Sequence, residues 1–442
     1  MAFLLRERFG RFIVAKTLAP VAALLFGIAF LLAGNGLQTT LAPLRAAAEG
    51  FSAIEIGLMG SGYYLGFVVG CLVGPYLIRR AGHIRAFTAL VSIASATVLV
   101  HPLSIHPAAW ILLRAVTGFS LAGIYLIVES WLNDRATNQN RGFIMSAYII
   151  VNFATITVGQ MLVTTASIHD FTLFAVASIL VSAAVLPVSM TRSDQPAPIA
   201  IVQFRPIRLF LTAPVGIIGA LLIGVANGAF WSLGTVYATG RGLDSQGAAI
   251  FMSVAVVGGA AMQWPIGRLS DRFDRRTVLA GVMAAAATVS VFLAMLPLGN
   301  YGLMAMSLAF GMTTLTGYSV AAAHAYDRAD KNAYVEMAAG VLLANGLGSV
   351  IGPVLASALM ASHGPEWLFL FMAIVQGLLI VFIALRVWLR GPASNTEKEE
   401  FDVYSTAPVG GAITPEPKSA ATAQRANAGP DRTTPAIITD VA

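Results

Sequence analysis

About a dozen apolar stretches of roughly 17 to 27 residues, separated by short polar loops, run through this 442-residue chain. Landmarks in the first six return about 193 positions later in the last six. At a helical rise of about 1.5 Å per residue, each stretch can cross a ~30 Å hydrocarbon layer. Hydrocarbon offers backbone groups no hydrogen-bond partner, so spans of this kind form as helices. The pattern predicts an all-α polytopic membrane protein with twelve transmembrane helices in two pseudo-symmetric six-helix bundles. The expected spans lie near 18–43, 53–77, 84–104, 108–132, 142–166 and 170–190, then 208–237, 246–269, 276–297, 301–325, 334–360 and 365–388.

Composition closes off the soluble alternative. Only 11% of residues are charged and 57% are hydrophobic, where soluble domains carry about a quarter charged residues. The 42 glycines suit close helix packing in lipid, and Gly62, Gly66, Gly70 and Gly74 recur every fourth residue along one side of the second span. The net charge of +6 is explained by alternate loops rather than by nucleic acid. Arg79, Arg80, Arg85, Arg135, Arg141, Arg192, Arg205, Arg208, Arg268, Arg272, Arg275, Arg276, Arg328 and Lys331 follow the even-numbered spans, whereas the other loops hold essentially Arg45 and Arg241. The positive-inside rule then puts both termini in the cytoplasm of a multi-pass membrane protein. Cys71 is the sole cysteine, so no intrachain disulfide forms.

The expected organisation is an N-terminal bundle over 1–190 with a short cytoplasmic start, a cytoplasmic connector over 191–207, a C-terminal bundle over 208–390 and a disordered cytoplasmic tail over 391–442. The start reads as a signal anchor that is also the first span. The tail is rich in Ala, Thr, Pro and Glu with no apolar periodicity.

The repeat holds residue by residue. Gly74 maps on Gly267, Arg79 on Arg272, Gly118 on Gly311, Asp134-Arg135-Ala136 on Asp327-Arg328-Ala329, Asn152 on Asn345 and Gly159 on Gly352. Two parallel halves of this kind are the arrangement of carriers whose site lies at the repeat interface. The run from Gly267 through Asp271, Arg272, Arg275 and Arg276 resembles the recurring loop of the major facilitator superfamily. In the first half the matching segment, GPYLIRRAGHIR, has Ile78 where that loop expects Asp. The segments ESWLNDRATNQNRG and AHAYDRAD further resemble the bacterial YcaD-like branch. The resemblance spans about residues 18–388 and implies the twelve-helix carrier fold.

Candidate gating or coupling residues are Arg79, Arg114, Glu129, Asp271, Arg272, Arg275, His324 and Asp327. Asp271 stands where it can pair with Arg272 or Arg275, and such pairs can bias a two-state balance. Arg114 and Glu129 share the fourth span but lie fifteen residues apart, about 22 Å along a straight helix, too far to pair. Arg114 also resembles the arginine this superfamily often carries ahead of a glycine in that span, and Glu129 is placed to meet the first-half loop arginines. His324 lies one turn before Asp327, within reach of a proton handoff.

Candidate substrate contacts are Asn35, Gln38, Tyr63, Tyr148, Asn152, Asn227, Trp231, Tyr318 and Asn345, with Thr39, Tyr64, Tyr125, Gln160 and Gln263 as further polar positions inside spans. Amides and phenols supply directional bonds, and aromatic faces suit an organic ligand. The expected function is secondary active transport of a small organic solute by alternating access, with protons as a candidate coupling ion. The preferred solute is neutral or weakly charged. A nontransporting sensor or scaffold is the alternative, and within carriers, uptake of a sugar or metabolite rather than export. No Walker P-loop, HExxH, GxSxG or Cys/His metal framework is present in the sequence. The expectation is therefore not an enzyme, with no cofactor, no metal, no nucleic acid and no obligate protein partner; membrane lipids surround the chain.

Overall fold

The computed structural model describes residues 21–136, 140–190, 196, 205–329 and 333–389. The expected start up to residue 20, most of the connector with Arg192, the loop residue Lys331 and the tail 391–442 lie outside these residues. Twelve helices among the described residues are long and apolar enough to cross a membrane: α1 Ala22–Ala48, α2 Ala53–Ala81, α3 His83–Leu103, α4 Pro107–Arg135, α5 Gly142–Thr165, α6 Thr172–Ser189, α7 Pro214–Gly240, α8 Ser245–Arg272, α9 Arg275–Met295, α10 Asn300–Asp327, α11 Tyr334–His363 and α12 Trp367–Leu389. Each helix of the first half has a counterpart in the second that starts 192 to 195 residues later.

Several boundaries shift by a few residues from the sequence expectation, and at two of them proline is involved. α1 continues through Pro43 to Ala48, because packed helices in a membrane tolerate an internal proline. Internal prolines also occur at Pro75, Pro265 and Pro353. The expected span from 208 divides into a short helix, Pro206–Thr212, and α7. Ala213 stands between them with φ −133° and ψ 63°, as the residue before a proline is pushed out of helical geometry.

The repeat extends to the turns. α1 and α7 both end in a Schellman motif around a glycine of positive φ, Gly50 at 82° and Gly242 at 90°. Phe51 N donates to Ala46 O at 2.9 Å, and Leu243 N to Ala238 O at 3.1 Å. The next helix is then capped two residues on. Glu55 N donates to Ser52 Oγ within a capping box, and Gly247 N donates to Asp244 Oδ1 at 2.7 Å.

Within each half, glycines let helix backbones touch. A side chain at Gly66 would fall on the Ala115 carbonyl, and one at Gly118 on the Tyr63 carbonyl, so α2 and α4 lie against each other directly. The same contact recurs between α8 and α10 through Gly258 and Gly311. α1 meets α5 at Gly36 and Gly159, and α7 meets α11 at Gly224, Gly348 and Gly352. Without hydrophobic drive between helices in lipid, this proximity supplies the dispersion contacts that hold them.

The apolar core is distributed unequally between the two ends of the molecule. Loops after odd-numbered helices lie at one end, here the odd-loop end, and loops after even-numbered helices at the other. At the odd-loop end one cluster joins both halves, from Leu41, Met59 and Trp110 to Phe230, Tyr237, Phe251 and Phe369. At the even-loop end the first half has its own core around Ile28, Phe87, Leu121 and Trp131. The second half has two, around Leu279 and around Met337. Leu342 of α11 reaches the first-half cluster.

Gly281 of α9 faces open space, whereas Gly66 faces backbone. Gly66→Leu is expected to prevent recovery of a monodisperse protein or to lower its apparent melting temperature by about 5–10 °C, on the order of overpacking costs. Gly281→Leu should stay within about 3 °C of the parent, as surface substitutions do; thermal-shift assays in detergent read both.

Candidate substrate cavity

Hydrogen bonds join the halves at the odd-loop end. Ser61 Oγ donates to Val350 O at 2.6 Å, Ser253 Oγ to Gln160 Oε1 at 3.3 Å, and Gln246 Nε2 to Thr164 O at 3.5 Å. Gly57 and Gly60 bring α2 against Ser357 and Pro353 of α11 and Ser232 of α7. Beside this seam the halves enclose a cavity of about 330 Å³, at the small end of the range for ligand pockets.

The first half contributes Asn35 and Thr39 from α1, Tyr63, Tyr64 and Phe67 from α2, Arg114 and Tyr125 from α4, and Phe153 and Gln160 from α5. The second half contributes Asn227, Trp231 and Ser232 from α7, Tyr318 from α10, and Asn345 and Ser349 from α11. Of the substrate candidates, Asn35, Tyr63, Asn227, Trp231, Tyr318 and Asn345 therefore meet in one place.

Arg114 is 6% exposed, and its guanidinium carbon lies 4.5 Å from the centre of the Tyr63 ring, a cation–π geometry. No Asp or Glu is among the lining residues. Several polar atoms of the lining make no hydrogen bond: Arg114 Nη1, Gln160 Nε2, Asn35 Oδ1 and Asn227 Oδ1. Asn345 is anchored, with Nδ2 donating to Ala220 O at 3.1 Å.

Gln38, Tyr148 and Asn152 lie outside the cavity. Gln38 is buried within the bundle. Tyr148 donates to Glu129 Oε1 at 2.9 Å, and Asn152 Nδ2 donates to Tyr148 O at 3.1 Å. Their faces of α5 are turned into the first-half core, which amide or phenol chemistry alone does not reveal. Gln263 likewise bonds within its half, to Ser319 Oγ at 2.6 Å. Phe67 and Ser349 are lining residues that the polar scan passed over. Each lies four residues, one turn, beyond a lining candidate, Tyr63 and Asn345, so helical periodicity was the available signal.

The charged candidates gather at the even-loop end. Arg275 Nε lies 2.8 Å from Asp327 Oδ2, and Nη2 lies 3.5 Å from Asp271 Oδ1. This cluster ties α8, α9 and α10 together within the second half. Asp274 caps α9 through Arg276 N at 2.8 Å. Burial raises its carboxyl pKa, but hydrogen bonds from Arg276 outweigh this and hold it below the ordinary carboxylate value. His324 faces a niche with Arg276, Arg328 and Arg386. Arg79 and Arg272 stand exposed at the ends of α2 and α8.

Comparison with known proteins fits this geometry. A profile of the Major Facilitator Superfamily matches residues 24–335 and again 252–432. The chain is similar to the uncharacterized MFS-type transporter YcaD of Escherichia coli O139:H28, 31% identical over 86% of this chain and 97% of the relative. It is 30% identical to YcaD of Escherichia fergusonii over 84% of this chain and 95% of that one. Among solved structures, the nucleoside transporter NupG superposes with a TM-score of 0.67 at 15% identity, covering 82% of this chain and 97% of its own. A bacterial homolog of the human lysosomal transporter Spinster, in an inward-facing and unoccupied conformation, gives 0.69 at 12% identity, covering 86% and 98%.

The side chains of Arg275 and Asp327 are only 2% and 7% exposed. Removing one buried partner costs about 3–5 kcal/mol, whereas replacing both by apolar groups is often neutral. Asp327→Asn should therefore lower the melting temperature clearly, and Arg275→Met with Asp327→Leu should recover at least half of that loss in the same thermal-shift assay.

Proposed function

The chain belongs to the YcaD-like branch of the major facilitator superfamily and is a membrane transporter, and from that premise we propose that it is a secondary carrier moving a small organic solute by alternating access. The observation that carries this reading is the cavity at the seam of two bundles that share a core at one end only. Rocking about that seam exchanges the shared contacts for new ones at the even-loop end and turns the cavity to the other side. With the arginine-rich loops in the cytoplasm of a bacterial inner membrane, the conformation described is closed toward the outside. The ion-paired cluster of Arg275, Asp271 and Asp327 then lies at the cytoplasmic end, where it stiffens α8, α9 and α10 as one moving body.

Proton coupling is assigned to Glu129. Its carboxylate is fully buried and accepts from Tyr148, on the helix that also carries Arg114. An intramembrane carboxylate in contact with an ionisable network is a common proton relay. His324, buried near the second-half cluster, is not needed for this step.

Uptake and release of a pooled metabolite library by purified protein in liposomes, with and without an imposed pH gradient, test the reading. Solute-specific flux that falls at least tenfold in Asn227→Ala or Asn345→Ala is expected. Glu129→Gln should retain solute exchange across the membrane while losing accumulation driven by the gradient. Absence of specific flux from correctly inserted protein would favour a nontransporting scaffold.

A further inference from the structure

We propose that the solute is an organic monoanion with a flat apolar body, its carboxylate or equivalent planar oxyanion docking on Arg114. The inference rests on the carrier reading above and names the substrate class of the same cavity.

Charge is the first argument. Arg114 is the one charged residue among those lining the cavity, and its guanidinium stays protonated at any physiological pH. A buried cation without a counter-ion is costly, because low dielectric surroundings leave its field unscreened. The guanidinium carbon lies 4.5 Å from the centre of the Tyr63 ring, and the buried Nη1 has no hydrogen-bond partner. A carboxylate suits such a planar fork, because it takes two parallel N–H bonds and supplies the missing counter-charge. A cationic solute would meet this charge with no carboxylate in the wall to offset it. A dianion would bring a second charge that no lining group neutralises.

The remaining groups describe the rest of the solute. Asn35 Oδ1 and Asn227 Oδ1 are acceptors without donors, and Gln160 Nε2 is a donor without an acceptor. The solute therefore carries at least one N–H or O–H apart from its acid. Tyr64, Phe67, Trp231 and Tyr318 supply aromatic walls from both halves, suited to a ring. A cavity of about 330 Å³ admits a one- or two-ring acid. The neutral or weakly charged solute preferred from the sequence narrows here to a singly charged anion, since the cavity wall holds one arginine and no acid.

Matched triads differing only in charge provide the test. Indole-3-acetate, indole-3-acetamide and tryptamine form one, and 4-hydroxyphenylacetate, 4-hydroxyphenylacetamide and tyramine form another. Binding is measured by calorimetry on the purified full chain, and flux in liposomes, for the parent, Arg114→Gln and Arg114→Lys. At least one acid should bind tenfold or more tighter than its amide, with the amine weakest, consistent with a charge-assisted bidentate bond. Arg114→Gln should bring acid and amide within about threefold, and Arg114→Lys should keep part of the preference, having charge without the fork. The acid-to-amide ratio in the parent needs no variant, and the ratio in a variant is not moved by lower stability alone. Amides or amines bound and moved as well as the acids would overturn the anion inference and leave the carrier reading standing. A preference that persists in Arg114→Gln would overturn the role of Arg114. Folded protein that binds none of the acids overturns the inference, and if the metabolite pool is also not moved the carrier reading falls with it.

Discussion

At the odd-loop end Ser61 donates to the Val350 carbonyl, and around that bond Gly57 and Gly60 let α2 lie directly against α11 and α7. Lipid tails are as apolar as the helix surfaces, so burial alone does not draw two bundles together. Close backbone approach and a few hydrogen bonds do so instead. Those contacts are concentrated at one end, together with the aromatic cluster from Trp110 through Phe369. The cavity, the separated cores of the two halves and the charged cluster at the other end all take their positions from that asymmetry.

The seam is also where polar groups of both halves meet in one space. Some buried polar side chains elsewhere pair inside a bundle, as Gln263 does with Ser319 and Tyr148 with Glu129. Along the cavity, Arg114, Gln160, Asn35 and Asn227 each keep an unbonded atom. Unmet hydrogen-bonding capacity inside a membrane protein is expensive. Four such atoms around one cavity, contributed by both halves, suit a solute that completes the bonds and couples its binding energy to a change of state.

Helix number, repeat and most of the polar residues that line the cavity were legible in the sequence because each rests on local signals: span length, glycine spacing and polar residues among apolar ones. The even-loop arginine cluster was legible for the same reason. What local signals do not carry is the direction in which a side chain faces. Asn152 and Asn345 are repeat equivalents, yet Asn345 lines the cavity while Asn152 bonds back to Tyr148. Arg114 had no visible partner in the sequence, since its neighbour Tyr63 comes from α2 and contacts it through the glycine-lined groove of α2 and α4. The run of α1 past Pro43 also depends on neighbours rather than on composition, whereas the break at Ala213–Pro214 follows from the proline itself.

The claim that two rigid halves exchange contacts between their ends is tested most directly by pairs of spin labels. Cys71 is the sole native cysteine, so a single Cys71→Ser change clears the background. One pair, at Ala48 and Ser362, reports the odd-loop end, and another, at Arg85 and Thr277, the even-loop end; all four positions are exposed. On adding a transported solute, the odd-loop distance should lengthen while the even-loop distance shortens. Distances that stay fixed at both ends during measured transport, or that change in the same sense, would contradict the account.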